Sequence, residues 1–383
     1  MTDGKTKDKE TKPGAGGGRL ESLDVFRGAT IAAMMLVNNP GTWSAVYPQL
    51  RHAEWHGWTF TDLVFPFFLW IVGVAMTLSF ARRVARGESK SGLMFHALRR
   101  ALILFALGLF LAAFPYFSPA TLRIPGVLQR IAICYLCATI IFLYTGIRGQ
   151  IAWTAGLLTV YWVAMKCIPV PGFGAGILEK DGNFAQFIDS LLLKGHMWSA
   201  TRTWDPEGIV STLPAIGTTL LGILTGHVLR TRWSPEEKTA WLYTLGSSLT
   251  LAGLVAGIWL PINKNLWTSS YTLFMAGMAA TTFAFCYWLN DVKGHRRWSR
   301  PFAIYGMNAI AVYFLAGVLV KLSMMIKIPA SDGVVSLRDY IYQTVFEPLA
   351  SPLNASMLHG IAFSLLMYLV AYVMYRRKWF VKI

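Results

Sequence analysis

Apolar runs of membrane-crossing length recur along the whole chain, separated by polar stretches rich in Arg, Lys and turn residues. About 20 apolar residues cross the hydrocarbon core as one helix, which satisfies its own backbone where no water can. The pattern predicts an all-α polytopic membrane protein of about ten transmembrane helices, over 24–40, 61–81, 99–117, 125–145, 150–168, 208–229, 240–260, 269–289, 301–322 and 356–375. The opening twenty residues, MTDGKTKDKETKPGAGGGRL, are polar and Gly-rich without an apolar core. They predict a disordered tail over 1–20 and not a signal peptide, which leaves 21–383 as one transmembrane domain. Most connections are short; two, 169–207 and 323–355, are long enough to build structure of their own.

Charge orients this pattern. Only 14% of residues are charged and the formal net charge is +16, a balance that by itself would suit a nucleic-acid partner. The distribution excludes that class. Lys5, Lys7, Lys9, Lys12, Arg19 and Arg27 flank the first run; Arg82, Arg83, Arg86, Lys90, Arg99 and Arg100 fill the connection after the second. With Arg148, Arg230, Arg232, Lys238, Lys293, Arg296, Arg297, Arg300, Arg376, Arg377, Lys378 and Lys382, one set of alternate connections holds 24 of the 35 basic residues, leaving 11 elsewhere. Positive charge collects on the cytoplasmic side, so both termini are expected there, next to anionic lipid or an anionic ligand. The GAGGGR segment lacks the strand and helix of a phosphate loop. Cys134, Cys137, Cys167 and Cys286 lie in or beside apolar runs, where packing explains them, and no metal site is expected.

Candidate chemistry concentrates in LRHAEWHGWTFTDLVFPFFLWIVG, residues 50–73, which sets His52, His56 and Asp62 against a run that must enter the membrane. Ionisable groups at that depth mark functional sites, and histidine moves protons near neutral pH; Trp55 and Trp58 also suit an interfacial belt. Asn38 and Asn39 close the first run on the same outer side. Gln129 and Arg130 lie a turn into the fourth, where the arginine needs a carboxylate, Asp62 being at similar depth, or a carbonyl cage. Lys264 and Asn265 stand in PINKNLW. The outer half thus gathers Asn38, His52, Asp62, Arg130, Lys264 and Asn265 as catalytic and acceptor-binding candidates. The inner half offers Arg27, Arg99 and Arg100 for an anion, with Asn308 at the start of the ninth run. Such a layout suits a reaction joining ligands from opposite faces, or a carrier with a polar cavity.

Seven segments carry a resemblance in order along the chain: SLDVFRG (22–28), VNNPG (37–41), HAEWHGWTFTDLVFPFFLWIVG (52–73), RIPGVLQRIAICY (123–135), DPEG (205–208), LPINKNLWTSSY (260–271), and DVKG with YGMNAIAVY (291–313). Jointly they resemble the transmembrane acetyltransferase family typified by heparan-α-glucosaminide N-acetyltransferase and its bacterial inner-membrane relatives. The resemblance implies acetyl transfer from cytosolic acetyl-CoA to the amine of a glucosamine, or of a saccharide ending in one, across the inner membrane. It makes 21–383 a transmembrane acyltransferase domain. Matched by HAxW, His52 takes the place of the family's catalytic histidine; matched by VNxxG, Asn38 takes that of its asparagine beside the acetyl group. His56 has an asparagine counterpart in the lysosomal members. An amine must lose a proton before it attacks, which a histidine accomplishes, and the tetrahedral oxyanion needs a donor such as Asn38 or Lys264. Direct transfer is favoured over an acetyl-His52 intermediate because it leaves nothing labile facing water. The implied partners are acetyl-CoA, an amino sugar and the bilayer, with no nucleic acid and no metal; a homodimer stays open. The rival functions are a carrier for N-acetylglucosamine or a related sugar and an O-acetyltransferase of a surface glycan.

Overall fold

The structure, a computed structural model, describes residues 20–330 and 333–381. Among them run α1 (Glu21–Asn38), α2 (Phe60–Ala85), α3 (Lys90–Ala113), α4 (Val127–Tyr144), α5 (Ile147–Cys167), α6 (Phe184–Leu192), α7 (Thr212–Leu229), α8 (Pro235–Ala256), α9 (Ser269–Tyr287), α10 (Arg300–Met307), α11 (Ala309–Met325), α12 (Leu337–Ile341) and α13 (Pro352–Arg376). A single antiparallel hairpin, β1 (Lys327–Ala330) with β2 (Gly333–Ser336), precedes α12. This is a helical multi-pass membrane protein. Apart from Leu20, the expected tail lies outside the described residues.

Each of the ten apolar stretches falls on a helix, yet fewer than ten have the character of a span. Seven (α2, α3, α4, α7, α8, α9 and α13) are long and apolar enough to cross a membrane, or eight if the bent pair α10–α11 counts as one. Two reasons account for the shortfall. Helix α1 carries Glu21, Asp24 and Arg27 within eighteen residues, and α5 holds Arg148, Gln150 and Lys166 among diluting Trp, Tyr and Thr. The ninth stretch is broken: α10 and α11 meet at 76°. At the break Asn308, 1% exposed, donates from Nδ2 to Trp379 O at 3.0 Å and accepts Val381 N–H at 3.1 Å. The side chain at the break thus ties the bend to the 379–381 segment.

Glycine sets the helix spacing. A Cβ on Gly73 of α2 would lie 2.0 Å from Thr219 O of α7, and one on Gly222 would lie 2.1 Å from Trp70 O. The same holds between α1 and α10, where Gly28 meets Phe302 O and Gly306 meets Asp24 O. Such backbone-to-backbone approach replaces the hydrophobic drive that lipid does not supply. Thr77 Oγ1 lies 3.2 Å from both Gly73 O and Ile223 O. The contact pairs advance together along α2 and α7, so these helices run parallel and begin at the same end of the bundle. An aromatic knot of Phe26, Phe67, Trp70 and Phe283 packs beneath them.

Candidate active site

Asp62, at the third position of α2, organises the chain before it. Its Oδ2 accepts the Thr59 N–H at 3.0 Å, the reciprocal half of a capping box, and the Ala53 N–H at 3.1 Å. The Thr59 hydroxyl donates back to Arg51 O. Residues 51–59 therefore fold over the start of α2, and Asp62 Oδ1 meets His52 Nδ1 at 2.6 Å. An ionised carboxylate only accepts, so Nδ1 carries the proton and Nε2 is left as the basic nitrogen. Asp62 is sealed while the His52 side chain is 44% exposed: one partner orients, the other is presented.

Facing Nε2 at 3.4 Å is Lys264 Nζ. Its turn, 260–268, is pinned by buried hydrogen bonds. Buried Asn263 accepts Leu266 N–H at 2.9 Å, Thr268 Oγ1 accepts Asn263 N–H and donates to Pro261 O, and Tyr161 donates to Leu266 O at 2.6 Å. Burial holds the Lys264 amine below the usual lysine range, against the opposite pull of Glu207 and Asp62. Asn265 is half-buried on the same turn. His56 stands 3.3 Å from Asn263 Nδ2 and 3.8 Å from Glu179.

The long 169–207 segment forms the wall. Trp55 Nε1 donates to Leu178 O at 2.8 Å and its ring meets Trp204 edge-on. Arg123 grips Asp205 with two bonds, 2.8 and 2.6 Å, and reaches Glu207. Burial opposes its charge, yet the two carboxylates hold the guanidinium protonated above its usual range. Asp189 of α6 accepts Ile209 N–H at 3.0 Å and Asp205 N–H at 3.3 Å. Burial raises its carboxyl to about 6 despite those donors.

Arg130 turns away from Asp62 and takes the carbonyl cage instead. Its Nη2 donates to Gly208 O at 3.0 Å and to Ser211 Oγ, and its guanidinium lies 5.1 Å above the Trp267 ring. Trp267 is held by Thr218 Oγ1, sits edge-on to Phe65 and Tyr271, and Tyr271 donates to Asp62 O at 2.6 Å. A narrow apolar cleft between α1, α2, α4 and α11 is lined by Met34, Phe65, Phe68, Leu128, Ile131 and Tyr313.

Residues 19–260 match the family described as heparan-alpha-glucosaminide N-acetyltransferase, catalytic. The chain belongs to this family. It is 31% identical to heparan-alpha-glucosaminide N-acetyltransferase of Homo sapiens over 351 aligned residues, covering 77% of this chain and 52% of that protein. With the Mus musculus protein the identity is 30% over 350 residues, covering 77% and 53%. The chain thus spans about half the length of the curated relatives it matches.

Among the residues singled out in the sequence of this family member, His52, Asp62 and Lys264 form one hydrogen-bonded set, and Arg130 joins it through Trp267 and Tyr271. Asn38 ends α1 exposed, and among the described residues its side chain makes no hydrogen bond. At the opposite end of the bundle Arg27 pairs with Asp24 at 3.3 Å and donates to Gly306 O. Arg99 is exposed, and Arg100 lies 4.8 Å over the Tyr135 ring. Asn308 spends its amide on the C-terminal backbone, as described. Among the described residues no three His, Cys, Asp or Glu side chains stand close enough to hold a metal. Sequence reasoning passed over Arg123, Asp189, Asp205, Glu207 and Trp267. The segments RIPG and DPEG contained the signal, an arginine and two carboxylates at helix-opening turns, but 82 residues separate the partners.

Proposed function

We propose that the chain is a membrane acetyltransferase, taking the acetyl group of acetyl-CoA from the cytoplasmic side and placing it on the amine of glucosamine, or of a saccharide that ends in it, on the far side. The observation that carries the reading is the His52–Asp62 pair at 2.6 Å, with the oriented Nε2 open to the site. His52 Nε2 takes the proton that the attacking amine must shed, and Asp62 stabilises the imidazolium that forms. Lys264 Nζ stands 3.4 Å from that nitrogen, within reach of the same substrate. Half-buried Trp204 offers a sugar-stacking face, and exposed Glu179 beside His56 supplies an acceptor for hydroxyls or an ammonium. Direct transfer needs only the one histidine that is oriented. The arginine-rich end of the bundle, with Arg99, Arg100 and Arg27, suits the CoA phosphates, and Asn38 suits the acetyl group it is matched to. The orientation that follows has both termini cytoplasmic, ten helices in the bilayer, residues 21–383 as the transferase domain, and a bacterial inner membrane as its home.

The test is purified protein with radiolabelled acetyl-CoA and a panel of amino sugars and their hydroxyl counterparts. Label on the amino sugar is the expected result; label on hydroxyl sugars alone would make it an O-acetyltransferase. Sugar uptake into vesicles free of acetyl-CoA, without label transfer, would replace the reading with a carrier.

A further inference from the structure

Arg130 is the largest charged group sealed within the bundle, 1% exposed, and its hydrogen bonding is incomplete. Nη2 alone is spent, on Gly208 O and Ser211 Oγ; among the described residues Nε and Nη1 are buried with no hydrogen-bond partner. A buried guanidinium with idle donors is unfavourable unless something completes it. Its support is costly too. Trp267, fully buried under the guanidinium, holds φ at +50°, the left-handed region a bulky side chain avoids. Trp267 N–H in turn bonds Lys264 O at 3.1 Å, and Tyr271, edge-on to that indole, bonds the backbone of Asp62. Arg130 and the base His52 are therefore both tied to one turn, Arg130 through the Trp267 ring and His52 through Lys264, and Phe65, edge-on to Trp267, lines the apolar cleft.

Resting on the acetyl-transfer reading, we infer that Arg130 is a catalytic residue: its Nε and Nη1 donate to the carbonyl oxygen of the thioester and hold the oxyanion. The amine lone pair forms the C–N bond as the carbonyl π pair moves onto that oxygen, and His52 Nε2 takes the amine proton. When the C=O bond re-forms, the C–S bond breaks and the thiolate leaves with the proton returned by His52. Amine and thioester become amide and thiol, and the enzyme is unchanged. Lys264 is less suited to the oxyanion because its ammonium already faces the base.

Two CoA analogues test this on the unaltered protein. S-carboxymethyl-CoA places an anionic oxygen beside the sulfur, and S-ethyl-CoA places none. Wild type is expected to bind the first at least about tenfold more tightly, and Arg130→Gln to erase the gap while still binding CoA. Arg130→Lys and Arg130→Gln are expected to lower kcat by about 10²–10³-fold with donor KM near wild type, as for loss of an oxyanion donor. Guanidinium ions should restore part of the rate to Arg130→Gly. Equal affinities for the analogues in an active wild type, a gap that survives Arg130→Gln, or an unchanged kcat would overturn the assignment. A wild type that transfers no acetyl group to any acceptor would overturn the underlying reading instead.

Discussion

Asp62 shows how one side chain both shapes a loop and directs its chemistry. It caps α2 through Thr59, fastens Ala53 and fixes the tautomer of His52. Asp62→Asn keeps an acceptor oxygen for the cap but also offers a donor to Nδ1, which stabilises the wrong tautomer. It is expected to fold and bind CoA while losing at least about 10²-fold in turnover. His52→Ala is expected to lower acetyl transfer by about 10²–10⁴-fold, the range for a lost general base, with CoA affinity near wild type. Steady-state rates with radiolabelled donor, set beside CoA calorimetry, check both; full activity in His52→Ala would remove the histidine from the chemistry. This residue-scale arrangement was half legible. His52 and Asp62 lie ten positions apart beside one helix start, so their meeting is local. That Asp62 serves the histidine and leaves Arg130 to Gly208 O and Ser211 depends on the 205–211 turn packing from 80 residues away, which no local spacing records.

At the scale of elements, the parallel pair α2 and α7 aligns the two halves of the site, since one carries Asp62 in its first turn and the other follows Gly208 and Ser211. Gly73→Ala would drive a methyl group into Thr219 O. Overpacking of this kind costs about 1–3 kcal/mol, so a lower melting temperature in detergent is expected, with a loss of turnover beyond the folded fraction lost. Helix α6 offers a pH-dependent counterpart. Asp189 titrates at about 6 in the fold against an ordinary 3.8, so the folded state favours its proton. The stability this adds is complete below pH 3.8 and is lost as pH rises through 6. The melting-temperature difference between wild type and Asp189→Asn should therefore shrink from pH 4 to pH 6.5 and then level off. A difference flat across that range would contradict the raised value. Helix positions themselves were readable because apolar runs persist for full turns; the glycine contacts were not, because a glycine names no partner.

For the whole molecule, the apolar runs located every long helix but overstated how many resemble a simple span. Helix α1 bears Asp24 and Arg27 that pair with each other, and the α10–α11 bend is set by tertiary contacts. The proposed orientation is open to a direct check. In a background without Cys134, Cys137, Cys167 and Cys286, a cysteine at Lys180 should react with an impermeant maleimide in intact cells, and one at Ser91 only after permeabilisation. The reverse pattern would invert the two-sided mechanism. The 76° bend carries a practical consequence of its own. Both hydrogen-bonding ends of Asn308 are satisfied by the strand of chain at Trp379–Val381, so that segment acts as a plug for the gap at the bend. An affinity handle or fluorescent fusion that tugs this strand outward would uncork a polar amide inside the bundle, and the damage would surface as lost protein long before it surfaced as lost chemistry.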